Sequence, residues 1–290
     1  MHASLPLAGR TIVVTGATDG IGRITAERLA QRGAQLVLVG RNPGRLDTAR
    51  RDIAAVAAGA PAPLTFCGDL SVQADIRRVA AEIRAALPAI DVLVNNAGAL
   101  FAERAETVDG IERTFALNHL GYFLFTAELL PAIKAGRSPR IVNVASDAHR
   151  SARLVLDDLQ HTRRGWSGWR AYCESKLANI AFTYALARRL TGSGVTVNAL
   201  HPGFVASSFG SSNGWISVAL RFFMTFAAIN VEQGAATSIF LASDPSVNGA
   251  SGGYYGKCRL KASNDASRVV ADQEALWAAS EALVGRRFDG

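Results

Sequence analysis

The stretch "TIVVTGATDGIG" (11–22) decides how the rest of the chain is read. Five residues dominated by β-branched side chains run straight into a turn holding Gly16, Gly20 and Gly22, and a segment rich in Ala, Leu and Arg (21–32) follows. Glycine admits positive φ and lets a ligand approach the backbone, while the start of the following helix offers unpaired N–H groups and partial positive charge. A strand, a glycine turn and a helix in this order predict a cradle for phosphate, and a dinucleotide pyrophosphate belongs there.

The same alternation continues outward from this stretch. Short β-branched runs recur as "QLVLV" 35–39, "LTFC" 64–67, "DVLVN" 91–95, "RIVNV" 140–144, "VTVNAL" 195–200 and a weaker "GGYY" 252–255, with helical patterns such as 72–86 between them. Continuously apolar strands alternating with helices predict a parallel sheet covered on both faces, a doubly wound α/β architecture. Neither an internal repeat nor a low-complexity linker divides the chain, so one domain over 1–290 is expected. The Gly/Ser-rich "SSFGSSNGW" (207–215) opens an excursion from it at 207–231.

Composition narrows the function. Of 290 residues, 49% are apolar, enough for a sizeable core. The formal charge of +7 comes from scattered basic residues without five- or six-residue runs, which speaks against a nucleic-acid partner and suits a polyanionic small ligand. Cys67, Cys173 and Cys258 lie far apart, make no metal-ligand spacing and are odd in number, so no metal and no disulfide framework are expected. The N-terminal "MHASLPLAGRTIVVTG" has no charged region ahead of an apolar run, which predicts a cytoplasmic protein. The most apolar stretch, "WISVALRFFMTFAAINV" (215–231), is interrupted by Arg221 and falls short of the ~20 residues that span a bilayer. A transmembrane helix is not expected; peripheral contact with a membrane surface stays open.

Two further local patterns carry chemistry. The second strand ends in Gly40 and Arg41, where an NAD-preferring site presents a carboxylate to the adenosine ribose about 20 residues beyond the glycines. Loss of the acid and gain of a guanidinium suit a ribose 2′-phosphate and predict NADP(H) over NAD(H). In "AYCESKLAN" (171–179), Tyr172 and Lys176 stand at i and i+4, neighbours roughly 5–6 Å apart on a helix. An adjacent ammonium favours phenolate, which moves the phenol toward acid–base work at neutral pH.

With "TGATDGIG", "NNAG" (95–98), "ASDAH" (145–149), "AYCESK" (171–176) and "HPG" (201–203) in order along nearly the whole chain, the sequence resembles the short-chain dehydrogenase/reductase family. It is similar in particular to the retinol dehydrogenase-like branch, through "FALNHLGYFLFT" (115–126), "SKLANIAFTYALARRLTGSGVTVNALHPG" (175–203), the tail "SGGYYGKC" and a later "ALWAASEALVG". The resemblance implies a Rossmann-type, mainly parallel seven-stranded sheet and a catalytic set of Asn118, Ser146, Tyr172 and Lys176. Tyr172 would act as general acid or base, Ser146 would polarise the substrate oxygen, Lys176 would lower the tyrosine pKa and bind the nicotinamide ribose, and Asn118 would hold a water linking Lys176 to solvent. Coenzyme contacts are implied for Gly16, Thr18, Asp19, Gly20, Ile21, Gly22, Arg41, Asp69, Leu70, Asn96, Ala97, Gly98, Tyr172, Lys176, Pro202, Gly203 and Val205. Ala145 precedes Ser146 where many relatives carry a serine pair, and Ser207 stands where a threonine is common. His149 and His201 fall in family motifs as loop-organising residues, and His119 joins neither of them in a ligand cluster. Cys173 reads as a packing residue whose thiol, beside Tyr172, would sensitise the protein to alkylation.

Substrate choice in such a sheet lies in loops beyond the carboxyl ends of the strands, here 147–168 and 207–231. Trp166 and, at its very end, Trp169 belong to the first; Trp215, Phe222, Phe223, Met224 and Phe226 belong to the second. They suit a bulky hydrophobic alcohol, ketone or aldehyde, retinoid-, steroid-, lipid- or polycyclic-aromatic-like. The apolar side of the second segment fits equally a packing face, a membrane contact or the interface of a homo-oligomer. A non-catalytic NADP(H)-binding redox sensor or scaffold is the alternative, against which the intact Asn/Ser/Tyr/Lys set speaks.

Overall fold

The computed structural model describes residues 5–57, 59–203 and 231–288. Val205, Ser207 and the predicted excursion up to residue 230, with Trp215, Phe222, Phe223, Met224 and Phe226, lie outside them. In chain order the strands are β1 Thr11–Thr15, β2 Gln35–Gly40, β3 Leu64–Cys67, β4 Val92–Asn95, β5 Arg140–Val144, β6 Thr196–Leu200, β7 Gly253–Gly256 and β8 Arg259–Lys261. The α-helices are α1 Gly20–Ala30, α2 Pro43–Val56, α3 Gln73–Ala86, the single turn α4 Arg113–Phe115, α5 Gly121–Lys134, α6 Gly168–Arg189, α7 Val231–Ser243 and α8 Val270–Val284. None of the described helices is long and apolar enough to cross a membrane.

The strands form one sheet in the order β3-β2-β1-β4-β5-β6-β7-β8, parallel except for β8. Seven strands were expected, and the eighth is a three-residue antiparallel return from β7. Lys257 and Cys258 connect the two with φ of 53° and 58°. A tight hairpin turn needs positive φ at both central residues and usually signals itself as Asn-Gly or Asp-Gly, so a Lys-Cys turn gives no such signal.

Alternate residues of each strand bury opposite faces. Ile12, Val14, Leu36, Leu38, Val92 and Val94 pack with Leu29 of α1, Ile53 of α2 and Ile239 of α7. Val13, Val37, Leu93, Ile141 and Val197 pack with Ile83 of α3, Phe123 of α5, Phe182 of α6 and Trp277 of α8. Burial on both faces explains why the strands read as unbroken apolar runs. A buried polar line crosses the second layer. Asn95 Nδ2 donates to Thr126 Oγ1 and to Asn143 Oδ1, both at 2.9 Å. Asn143 Nδ2 donates to Thr183 Oγ1 at 2.9 Å, and that hydroxyl donates to the Asn179 carbonyl at 2.7 Å. These bonds tie β4 and β5 to α5 and α6.

The chain leaves β1 toward β2 on one side, while β4 lies on the other. That reversal opens a crevice at the carboxyl ends of β1 and β4. The glycine turn closes tightly over it: a Cβ on Gly22 would lie 2.3 Å from the Gly16 carbonyl oxygen and 2.4 Å from Asn96 Nδ2. Because one obstacle is backbone, Gly22→Ala should cost about 1–3 kcal/mol, read as a lower denaturant midpoint at unchanged slope. A midpoint equal to that of the parent protein would show that the turn is looser than described.

Candidate active site

A cleft of about 430 Å³ runs along the carboxyl edge of the sheet. Gly16, Thr18, Asp19, Gly20, Ile21, Gly22, Arg41, Asp69, Leu70, Asn96, Ala97, Gly98, Ser146, Tyr172, Lys176, Pro202 and Gly203 all line it. Of the expected site residues, Val205 lies outside the described residues and Asn118 stands behind the wall.

The first wall is built from backbone. Gly16 and Gly20 take φ of 65° and 53°, and the Asp19 carboxylate caps α1 by accepting the Gly20 N–H at 2.7 Å. Thr15 Oγ1 accepts the N–H groups of Asn96 (2.8 Å) and Ala97 (3.0 Å), and Asn96 Nδ2 donates to the Thr15 carbonyl at 2.9 Å. The ends of β1 and β4 are thus stitched into one surface. Asp69 reaches the cleft while its Oδ1 accepts the N–H and hydroxyl of Ser71, at 2.9 and 2.7 Å. At the β2 end, Gly40 lines the cleft where a Cβ would meet Thr18 Cγ2 at 3.1 Å, and two exposed arginines, Arg41 and Arg45, line it as well. Neither guanidinium forms an ion pair among the described residues. Helix-end N–H groups and uncompensated guanidiniums form a donor set suited to a phosphorylated dinucleotide. Arg45 was absent from the sequence reading; its signal was a second arginine one helical turn beyond Arg41.

The second wall carries the titratable groups. Ser146 follows the end of β5, and its hydroxyl hydrogen-bonds the Tyr172 phenol while accepting the Ala148 N–H at 3.2 Å. Lys176, one turn along α6 from Tyr172, donates to the Val144 carbonyl at 3.1 Å. Its Nζ lies 5.6 Å from the ring centroids of both Tyr172 and Tyr122. Burial pushes the Lys176 amine down to about 7. Burial likewise pushes the Tyr172 phenol up to about 12, against the hydrogen bond from Ser146. The expected lowering of the tyrosine pKa is therefore not present in this arrangement, because desolvation of the phenol outweighs its neighbours.

Asn118 sits in a π turn, Ala116–Leu120, between α4 and α5. Such turns recur at functional sites. Its Oδ1 accepts the Ala99 N–H at 2.9 Å, and its Nδ2 donates to the Ala99 carbonyl (2.9 Å) and Ser175 Oγ (3.0 Å). Gly98 separates it from the cleft; a Cβ there would meet Asn118 Oδ1 at 3.1 Å and Lys176 Nζ at 3.2 Å.

Histidines organise this wall, as the sequence suggested. His149 Nδ1 lies 2.7 Å from the Ser146 carbonyl, and its Nε2 accepts the Asn264 N–H at 3.2 Å, which fixes a neutral tautomer beside Ser146. His119 is wholly buried, donates through Nε2 to Ser280 Oγ at 2.9 Å, and is pushed down to about 4 by burial. Cys173 is buried and burial raises its thiol pKa, so the expected sensitivity to alkylation does not follow. Sequence reasoning passed over Asp147, Tyr254 and Asn264, which meet only through folding.

On the substrate side, Trp169 stacks on Tyr172 with centroids 6.0 Å apart, and it is 55% exposed. Leu100, Phe101 and Leu117 continue this apolar lining. Trp166 turns elsewhere: its indole N–H donates to Glu112 Oε1 at 3.3 Å, anchoring the loop. The same loop is clamped to α6 by Arg164, which donates to both carboxylate oxygens of Glu174, at 3.0 and 2.5 Å.

Residues 10–214 match the family model described as short chain dehydrogenase. Human retinol dehydrogenase 13 is 37% identical over 98% of this chain and 86% of its own length. A protein of Streptomyces sp. (strain C5), named as a candidate daunorubicin C-13 ketoreductase, is 38% identical over 98% of this chain and 95% of its own. Among solved structures, a Pseudomonas aeruginosa RhlG/NADP complex superposes with a TM-score of 0.69 at 27% identity, covering 88% of this chain and 96% of that one. The cleft and these near-full-length likenesses converge: the chain belongs to the short-chain dehydrogenase family, NAD(P)(H)-dependent oxidoreductases acting on alcohol and carbonyl groups.

Proposed function

We propose that this chain is an NADP(H)-dependent oxidoreductase that interconverts a hydrophobic alcohol and its ketone or aldehyde, with Tyr172 as general acid and base. One observation carries the reading. The Ser146 and Tyr172 hydroxyls are hydrogen-bonded to each other on the wall of a cleft whose far end holds two unpaired guanidiniums. Gly16, Thr18, Asp19, Gly20, Ile21 and Gly22 would hold the pyrophosphate, Arg41 with Arg45 the 2′-phosphate, Asp69 and Leu70 the adenine side, and Asn96, Ala97, Gly98, Pro202 and Gly203 the remaining length. Lys176 and Tyr172 would hold the ribose next to the reacting ring. A bound nicotinamide supplies hydride chemistry at the substrate carbon.

The residues of the second wall divide the rest of the work. Ser146 donates to the substrate oxygen and Tyr172 delivers the proton to it during carbonyl reduction, or takes it during alcohol oxidation. A phenol held at about 12 is protonated throughout the physiological range, which suits the acid role in reduction. Asn118, pinned to Ala99 and Ser175, fixes the strip of backbone in front of Lys176. The exposed face of Trp169 and the lining of Leu100, Phe101 and Leu117 favour an apolar substrate. The names of the relatives, a retinol dehydrogenase and a candidate ketoreductase, point the same way.

Tyr172→Phe should lower the kcat of carbonyl reduction by about 10²- to 10⁴-fold while the NADPH Kd, read by fluorescence titration, stays within about threefold. Undiminished turnover on a panel of retinal, steroid ketones, quinones and aromatic ketones would defeat the reading, and a cellular phenotype that survives would favour the sensor alternative. Coenzyme choice is tested separately. Gly40→Asp with Arg41→Ala should shift the NADP/NAD ratio of kcat/KM by at least about tenfold toward NAD; an unchanged ratio would refute the assignment.

Lys176 links catalysis to stability. In the unfolded chain the amine keeps its proton up to about pH 10.5, but in the folded chain only up to about 7, so between these values unfolding takes up a proton and stability rises with pH. Lys176→Met removes this penalty. Its Tm should exceed that of the parent most clearly at pH 6, with the gain shrinking steadily toward pH 10, while reductase kcat falls. A Tm difference independent of pH would show that the ammonium is not desolvated.

A further inference from the structure

His201 follows β6 and immediately precedes Pro202 and Gly203 on the cleft wall. Its ring stacks on Tyr254 with centroids 5.7 Å apart and lies so close to the backbone of Gly256 that a Cβ there would be 2.0 Å from Nε2. The ring is therefore fixed in place, and its two nitrogens face competing partners. Nδ1 is 3.2 Å from the Gly203 nitrogen and 3.3 Å from Asp147 Oδ2. Nε2 is 3.4 Å from Lys261 Nζ.

No single protonation state satisfies all three contacts. With the proton on Nε2, Nδ1 accepts the Gly203 N–H. With the proton on Nδ1, the ring donates to Asp147 and accepts from Lys261, and Gly203 loses its acceptor. A doubly protonated ring also releases Gly203. Asp147 directly follows Ser146, and its Oδ1 accepts the Tyr254 hydroxyl at 3.0 Å and pairs with Arg150 at 3.2 Å. One carboxylate thus joins the Ser146 segment to the 201–203 turn at the end of the neighbouring strand.

We propose that His201 is a positioning residue whose neutral ring holds the Gly203 N–H on the coenzyme-facing wall, with Asp147 and Lys261 as opposed charges governing when that hold is released. The proposal rests on the reading of the cleft as a dinucleotide site. Among the described residues, the groups facing the ring are Asp147, His149 and Arg150 from the turn after β5, Tyr254 on β7, Lys257 in the β7–β8 turn and Lys261 on β8. Burial, together with Lys261, Arg150 and Lys257, holds the imidazole below its usual value, and Asp147 opposes them. The hold on Gly203 accordingly persists at neutral pH and is lost in acid.

The full chain without added coenzyme is titrated by NMR of the His201 ring, and NADPH Kd is measured across pH 5 to 8. In Asp147→Asn the ring should ionise at lower pH than in the parent, and in Lys261→Met at higher pH. Both substitutions fall on solvent-accessible side chains, so folding is expected to survive even where His201→Gln weakens it. NADPH binding should weaken about three- to tenfold across each variant's own ionisation, the worth of one backbone hydrogen bond, beyond the change seen in His201→Gln. That last variant retains the ionisation of the ligand's own phosphate. Shifts in the same direction, or a Kd profile unchanged by His201→Gln, would overturn the proposal. Failure of NADPH to bind at any pH would overturn the dinucleotide reading instead, while the ring titrations still decide whether Asp147 and Lys261 oppose each other.

Discussion

The side-by-side pairing of two buried amides, Asn95 on β4 and Asn143 on β5, is the constraint on which the site depends. The two residues are in register across the parallel ladder, and Asn95 Nδ2 donates to Asn143 Oδ1 at 2.9 Å. Asn95 opens the segment that becomes Asn96, Ala97 and Gly98, and Asn143 stands three residues before Ser146. A slip of one residue between these strands would turn every side chain of one of them to the opposite face and strand both amides without partners. The polar line continues through Thr183 into α6, so the helix bearing Tyr172 and Lys176 is referenced to the same point. Both walls of the cleft and the Ser146 and Tyr172 hydroxyls are thus tied to one short chain of buried hydrogen bonds.

Around that anchor, burial competes with charge. Lys176 is taken out of water with the Val144 carbonyl as its direct hydrogen-bond acceptor, and its amine is correspondingly easy to deprotonate. Tyr172 meets the same desolvation, which favours the uncharged phenol. Burial favours the uncharged form of each group. Such a pair is mismatched to the apolar clusters that cover both faces of the sheet.

Most of the architecture was legible because it is written in local periodicity. Seven strands lie within a residue of their predicted positions, and Gly16 and Gly20 take the positive φ expected of the glycine turn. The eighth strand escaped notice because its turn uses Lys257 and Cys258, side chains that carry no turn signature. The site residues that sequence identified sit in contiguous motifs. Those it missed, Asp147, Tyr254 and Asn264, act through contacts spanning 107 residues for Tyr254–Asp147 and 115 for Asn264–His149, which no linear spacing encodes. A related limit applies to the tyrosine: an i,i+4 amine is visible in sequence, whereas the depth that pushes the phenol up is a property of the whole fold.

The two ends of the cleft are built by different physics, and this separates what each can tolerate. At the β1 and β2 end, ligand recognition would fall to backbone N–H groups, glycine geometry and two exposed guanidiniums, and exposed charges are individually replaceable because water supports them. At the β5 and α6 end, the polar side chains around Ser146 and Tyr172 are buried or half-buried and largely committed to one another. Asn118 bonds Ala99 and Ser175, Ser146 bonds Tyr172 and Ala148, and His149 bonds Ser146 and Asn264. Deleting any one leaves an unpaired partner in a dry environment, a larger penalty than losing a solvated contact. In the enzyme proposed above, coenzyme preference would therefore be the property most easily changed and the geometry of proton transfer the least, because the latter would be held by groups already committed to one another.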